Sequence, residues 1–171
     1  PPRPAVLTLF RDALAHGRAE IRRRFEEPGP LRNDGDQVLA AHSFLMDQLI
    51  RVIFDFADQR IYPAANPSTA ERLGVVATGG YGRGGLAPLS DIDLLFLRPY
   101  KQTPRGEQIV EYMLYLLWDL GLKVGHATRT VEESLRYAER DQTIRTALLE
   151  ARYVWGDRDL HDELTRSFAQ K

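Results

Sequence analysis

Two aspartates with one residue between them begin a hydrophobic run in the middle of the chain. They are Asp91 and Asp93, and Leu-Leu-Phe-Leu follows at 94–97. Side chains at i and i+2 of a β-strand project from the same face, so both carboxylates are expected on one side of a sheet. Two adjacent carboxylates repel each other unless a cation lies between them. Because divalent metal ions prefer oxygen ligands, the pair predicts a metal site.

A glycine-rich segment precedes the aspartates. The sequence Gly-Gly-Tyr-Gly-Arg-Gly-Gly occupies 79–85 and follows another hydrophobic, strand-like run at 73–77. Glycine lets the backbone approach a ligand closely and turn its N–H groups toward an anion. A phosphate-binding loop beside a metal-binding carboxylate pair indicates phosphoryl or nucleotidyl transfer. Each feature alone has a simpler explanation, a tight turn for the glycines and a solvated strand end for the aspartates.

The composition is that of an ordinary folded protein with one sizeable core. The 171 residues are 43% hydrophobic and 27% charged, with a formal net charge of −1 and no cysteine. Near-neutral charge argues against a general nucleic-acid binder, and the lack of cysteine excludes disulfides and thiolate metal sites. No apolar run approaches the roughly 18 residues of a membrane span, and no signal peptide is recognisable. We therefore expect a cytoplasmic protein without a membrane or nucleic-acid partner.

Hydrophobic periodicity predicts the elements that hold these residues. Two long amphipathic helices, at 4–27 and 36–61, precede the glycine segment, and Pro28-Gly29-Pro30 separates them. Two strands then flank the glycine segment. The elements predicted after them are a helix ended by Gly121, a strand at 123–130, helices at 131–140 and 143–155, and a terminal helix at 159–168. This order predicts a small mixed sheet packed with helices, an α+β fold.

The glycine pair followed by Asp91-Ile92-Asp93 resembles the signature of the DNA polymerase β-like nucleotidyltransferase superfamily. The longer string at 79–97 is more similar to one of its families, the bacterial PII uridylyltransferase/uridylyl-removing enzymes. Two further blocks agree with that family. They are Leu-Trp-Asp-Leu-Gly-Leu-Lys-Val-Gly-His at 117–126 and Thr-Ala-Leu-Leu-Glu-Ala-Arg at 146–152. The resemblance covers residues 75–157.

The resemblance implies a DNA polymerase β-like nucleotidyltransferase fold with an N-terminal helical pair. We expect an N-terminal helical segment at 1–66 that packs on the catalytic domain, and a nucleotidyltransferase core at 67–157. The terminal helix at 158–171 is expected to begin a linker to further domains. Members of the family are several-fold longer than this chain, which predicts that the sequence is an N-terminal fragment.

The resemblance also implies a reaction. In this family UMP is transferred from UTP to a tyrosine hydroxyl of the PII nitrogen-regulatory protein, and pyrophosphate is released. Asp91 and Asp93 are then the catalytic residues and the ligands of Mg²⁺, or of Mn²⁺ in its place. The residues expected to bind the nucleotide are Gly79, Gly80, Arg83 and Ser90. Two alternatives stay open, a related nucleotidyltransferase with another acceptor and a non-catalytic nucleotide-binding regulatory module.

The sequence leaves the position of a third carboxylate open. The superfamily usually supplies it from a later strand, where this sequence has Val-Gly-His at 124–126. The candidates for its role are Glu150, His126 and Asp141. For Glu150, a salt bridge to Arg152 or Arg145 is the structural alternative. The sequence also has Gly85 where the family pattern has a glutamate.

Overall fold

A four-stranded mixed β-sheet forms the centre of the fold. The computed structural model describes residues 2–26 and 35–170 of the chain. The strands are β1 at Gly74–Thr78, β2 at Ile92–Leu97, β3 at Val124–Arg129 and β4 at Arg152–Gly156. They lie in the order β3-β2-β1-β4, with β1 antiparallel to both of its neighbours and β2 parallel to β3. β2, which begins between the two aspartates, is therefore an inner strand.

Helices cover the sheet. They are α1 at Arg3–Glu26, α2 at Gly35–Phe56, α3 at Gly79–Gly82, α4 at Pro104–Asp119, α5 at Val131–Arg140, α6 at Gln142–Leu149 and α7 at Arg158–Ala169. α2 continues into a π-helical turn at Ala57–Ile61, and a short 3-10 turn at Thr69–Glu71 precedes β1. Within the two described ranges, no helix is both long enough and apolar enough to cross a membrane.

Apolar side chains bury both faces of the sheet. Leu94 and Phe96 project from one face of β2 into a core that α1, α2 and α4 complete. Leu95 and Leu97 project from the other face into a second core, made with α5 and α7. Because side chains alternate along a strand, Asp93 belongs to the face of this second core.

Side-chain caps determine where α5 and α6 begin. Thr130 Oγ1 accepts a hydrogen bond from the backbone N–H of Glu133, whose carboxylate accepts one from the N–H of Thr130. This reciprocal pair is a capping box, and it starts α5. Asp141 ends α5 and caps α6, since its carboxylate accepts from the N–H of Thr143 at 2.8 Å. The caps therefore place the start of α6 directly after the end of α5.

The fold class predicted from the sequence is confirmed, and most element bounds agree within a few residues. The helix predicted at 4–27 is α1, and the one at 36–61 is α2 with its π-helical extension. Gly121 follows the end of α4 with φ +81°, as expected of a glycine that ends a helix. The predicted break at 28–30 lies outside the described residues.

One prediction is wrong. The helix predicted at 143–155 ends at Leu149, and the residues that follow form β4. Tyr153, Val154 and Trp155 are aromatic and β-branched residues that favour strands. Val154 is fully buried in the core between the sheet and the N-terminal helices. The chain thus leaves the helix and adds a fourth strand beside β1.

Candidate active site

The two aspartates lie where β2 begins. Asp91 directly precedes the strand and is exposed, whereas Asp93 is its second residue and is partly buried. Ile92 between them is buried in the opposite core. Burial raises the pKa of the Asp93 carboxyl above its ordinary value, and the negative charge of Asp91 raises it further. The two carboxylates thus influence each other, as expected of side chains at the start of one strand.

The carboxylate of Asp93 lies between two glycines. Asp93 pairs with Thr78 on β1 and with Gly125 on β3, so the three residues form one row across the sheet. A Cβ atom at Gly125 would stand 2.7 Å from Asp93 Oδ1, and one at Gly79 would stand 3.1 Å from Oδ2. Gly79 also has φ +59°, a conformation that favours glycine. The absence of side chains at these positions leaves the room that the carboxylate occupies.

A cavity of about 580 Å³ opens in front of this row. Asp93 and Gly125 line it from the sheet and Gly79 from the start of α3, and polar residues of α6 line it from the opposite side. These residues are Gln142, Thr143 and Thr146, with Glu150 directly after the helix. Pockets of this size accommodate small-molecule ligands such as nucleotides.

Arg83 and Glu150, predicted to have different roles, form an ion pair. Arg83 Nη1 donates to Glu150 Oε1 at 2.6 Å. Arg83 Nη2 also lies near Gly80, 3.4 Å from where a Cβ of that residue would stand. The salt bridge predicted as an alternative role of Glu150 therefore exists, but its partner is Arg83 rather than Arg152 or Arg145. The pair joins the glycine segment to the end of α6.

Ser90 is separate from this cavity. It lies in the turn before β2 and lines a smaller cavity together with Ile92 and Lys123. Leu89, directly before it, has φ +64°, which is unusual for a residue with a side chain.

At Gly85, a Cβ would make an ordinary contact of 3.8 Å with Leu39, so the backbone there does not require a glycine.

The side chains of the other candidates for the third acid make contacts elsewhere, although His126 also lines the cavity. His126 pairs with Leu94 in the parallel ladder, so its side chain leaves the sheet on the face opposite to Asp93. Its ring lies against Trp118 of α4, with the ring centroids 5.8 Å apart. The Asp141 carboxylate is used in capping α6. Among residues 2–26 and 35–170, no three acidic or histidine side chains stand close enough together to hold a metal ion.

Comparison with known proteins agrees with this geometry. Residues 66–154 match the family described as nucleotidyltransferase domain. The chain is 56% identical over 166 residues to the bifunctional uridylyltransferase/uridylyl-removing enzyme of Rhodospirillum rubrum. It is 54% identical to the enzymes of the same name from Azospirillum brasilense and Erythrobacter litoralis. Each alignment covers 97% of this chain but only 17% to 18% of the relative.

The chain belongs to the nucleotidyltransferase domain family. This confirms the resemblance that the glycine segment and the aspartates indicate. Both features of the signature lie inside the matched residues, as do β1 to β3 and α6.

The chain also contains a buried polar cluster that sequence reasoning missed. Asp47 of α2 is 8% exposed and accepts hydrogen bonds from the Tyr81 hydroxyl and from Arg152. Tyr81 belongs to the glycine segment, and Arg152 begins β4. The only sequence signal is an acidic residue beside Met46 and Leu49 in the apolar part of a helix, since buried charges are rarely unpaired.

Proposed function

We propose that this chain transfers UMP from UTP to a tyrosine hydroxyl of a PII protein and releases pyrophosphate. The observation that carries the proposal is the Asp93 carboxylate, which lies between Gly79 and Gly125 on the wall of the cavity and interacts with Asp91. The relatives' name supports uridylyl transfer. Because the chain spans less than a fifth of those relatives, both the donor and the acceptor belong to the proposal.

The carboxylate pair fits a divalent cation. Two interacting carboxylates, one of them partly buried with a raised pKa, form a site with excess negative charge and oxygen donors. In this proposal Asp91 and Asp93 hold Mg²⁺, or Mn²⁺ in its place. A bound divalent ion would neutralise charge on the reacting phosphates and activate the attacking oxygen.

The glycine segment binds the triphosphate in this proposal. Gly79 adjoins Asp93, so phosphates held by the N–H groups of Gly79 and Gly80 would lie beside the carboxylates. Arg83, whose guanidinium lies near Gly80, adds a positive charge on the same side. The position of Ser90 gives it no contact with the cavity of Asp93, so its proposed contact with the nucleotide has less support than that of Arg83.

One observation favours a second candidate function. The described residues hold a cluster of two acids rather than three, which is compatible with a nucleotide-binding regulatory module that does not catalyse transfer. Such a module would bind UTP without releasing pyrophosphate.

The test is a transfer assay with UTP labelled in its α-phosphate, purified PII and Mg²⁺. We expect label on PII and pyrophosphate release, with UTP preferred over ATP, GTP and CTP. Asp93→Asn should lose about 3 kcal/mol or more of transition-state stabilisation, a rate loss of more than about 100-fold, while the fold is kept. The matched control is Asp12→Asn, which makes the same charge change at an exposed position of α1.

The outcomes separate the candidates. Binding of UTP without pyrophosphate release would support the regulatory module. Pyrophosphate release with no label on PII, but with label on another hydroxyl acceptor, would support a related nucleotidyltransferase. A folded Asp93→Asn variant with near-normal transfer would contradict the assignment of the catalytic carboxylates.

A further inference from the structure

A single carboxylate of the N-terminal helices connects to the glycine segment through two partners. The Tyr81 hydroxyl donates to Asp47 Oδ1 at 2.5 Å. Arg152 donates to the same carboxylate through Nη1 at 2.7 Å and through Nη2 at 3.2 Å. Tyr81 is fully buried and Asp47 nearly so. Both oxygens of this nearly buried carboxylate are thus engaged, while the Arg152 side chain stays 31% exposed.

Arg152 carries the connection from Asp47 to the backbone of the segment. Its Nη2 donates to the carbonyl oxygen of Tyr81 at 3.1 Å, and its Nε donates to that of Gly82 at 3.3 Å. The guanidinium also lies over the Tyr81 ring, 5.2 Å from its centroid. One arginine, oriented by Asp47, therefore holds two consecutive carbonyl groups of α3.

The other side of the segment is packed just as closely. A Cβ atom at Gly82 would stand 2.1 Å from the carbonyl oxygen of Glu150 and 3.0 Å from that of Ala77. Gly79 and Gly80 directly precede the residues that are held. The backbone of Tyr81 and Gly82 thus has little freedom to shift. Asp47 of α2 holds it through Arg152 on one side, and the Glu150 carbonyl after α6 packs against it on the other.

We infer that Asp47 is a positioning residue, which acts through Tyr81 and Arg152 to hold Gly79 and Gly80 where their N–H groups meet the triphosphate. This inference rests on the proposed function. Asp47 lies outside the matched residues 66–154, so the nucleotidyltransferase domain takes a part of its site from the helices before it.

A purely stabilising role would not require this arrangement. Buried ion pairs are often replaceable by apolar residues without loss of stability. An apolar residue at 152 could not donate to the carbonyl groups of Tyr81 and Gly82. The phenol stays a donor across the physiological range, because burial and the neighbouring Asp47 raise the Tyr81 pKa well above its ordinary value. The Tyr81 hydroxyl therefore stays available to donate to Asp47.

The experiment compares Asp47→Asn and Tyr81→Phe with Leu164→Ala in the 171-residue chain. Tyr81→Phe removes a single hydroxyl and keeps the ring. Leu164→Ala is the matched control, since Leu164 is 2% exposed in the other core and its truncation destabilises the fold away from the segment. Backbone hydrogen exchange and steady-state kinetics are measured well below each variant's melting temperature.

We expect exchange at residues 79–84 to accelerate about tenfold in both cluster variants, with little change in β2. We expect the KM for UTP to rise about fivefold or more, while the KM for PII stays near the wild-type value. Leu164→Ala should change neither quantity.

The inference is overturned if both cluster variants keep wild-type exchange at 79–84 and a wild-type KM for UTP. It is also overturned if Leu164→Ala produces the same changes, because the effect would then follow stability alone. A wild-type chain that neither binds UTP nor transfers UMP would instead contradict the proposed function. The exchange measurement would still decide whether Asp47 orders the segment.

Discussion

Arg83 and Glu150 neutralise each other at the edge of the cavity, with 2.6 Å between Nη1 and Oε1. In the proposed reaction, Arg83 would contact the triphosphate. A metal ion would compete with Arg83 for the Glu150 carboxylate. The Arg83 side chain is 62% exposed, so the pair contributes at most about 1 kcal/mol. An interaction this weak can be exchanged for contacts to a nucleotide at little cost.

Glu150→Gln should strengthen the binding of UTP in the absence of metal. Without its carboxylate partner, Arg83 is free to contact phosphate, and the affinity should rise about two- to fivefold, in line with a pair of about 1 kcal/mol or less. The measurement is the Kd for UTP by calorimetry in EDTA. If Glu150 acts through Arg83, the same substitution should have a smaller effect in an Arg83→Gln background. An equal effect in both backgrounds would show that the carboxylate repels UTP directly.

With metal present, Glu150→Gln and His126→Ala should have different effects. If Glu150 serves as the third acid, its loss should lower the transfer rate and raise the Mg²⁺ concentration needed for half-maximal activity. His126→Ala should change neither by more than about twofold, because the His126 ring lies against Trp118 on the opposite face of the sheet. Mg²⁺ titrations of the transfer rate decide between them. A larger effect of His126→Ala would assign the role of the third acid to His126 of β3. Small and equal effects would indicate that two acids suffice.

Gly125→Ala should damage the site and spare the fold. The new Cβ would stand 2.7 Å from Asp93 Oδ1, so the carboxylate must move. A displacement of about 1 Å at a reacting centre can cost about 100-fold in rate. Because Gly125 is exposed on an edge strand, the melting temperature should change little. Gly35→Ala is the control, since a Cβ there meets no atom of the described residues within 4 Å. Transfer by Gly125→Ala at the wild-type rate would show that Asp93 does not need its present position.

The parts of the fold that were predicted from the sequence are those with strong local periodicity. α1, α2 and α4 each carry an apolar stripe over several turns, and such stripes specify a helix and its buried face. Only two residues separate β4 from the end of α6. Its existence depends on pairing with β1, about 80 residues earlier in the chain, and a local pattern contains no such information.

The same distinction applies to the site. The spacing of Asp91 and Asp93 predicts both carboxylates on one face, because the period of a strand is two residues, but β2 begins only at Ile92. The position of Gly125 opposite Asp93 depends on the register between β2 and β3, which the sequence does not reveal. The contact between Asp47 and Arg152 joins residues 105 apart in the chain. Long-range contacts of this kind appear only in the folded structure.

Asp91→Asn should stabilise the metal-free protein at neutral pH. The raised pKa of Asp93, caused by burial and then by Asp91, means that the folded state binds the Asp93 proton more tightly than the unfolded state does. The stabilising contribution is present below the unfolded pKa of about 3.9 and is lost as pH rises through the folded value. Removing the Asp91 charge should lower the Asp93 pKa toward its ordinary value. NMR titration of the Asp93 carboxyl carbon measures this directly.

The melting temperature gives an independent check, and Mg²⁺ should reduce the difference between the variant and the wild type. Without metal, Asp91→Asn should melt above the wild type at pH 7, and the difference should shrink as pH falls through the Asp93 pKa, because protonation removes the repulsion in the wild type. Asp12→Asn, the same charge change on α1, should show no such trend. With saturating Mg²⁺ the wild type should gain stability by binding the ion in its folded state, whereas the variant with one carboxylate should gain less. Equal gains from Mg²⁺ in both proteins would mean that Asp91 is not a metal ligand.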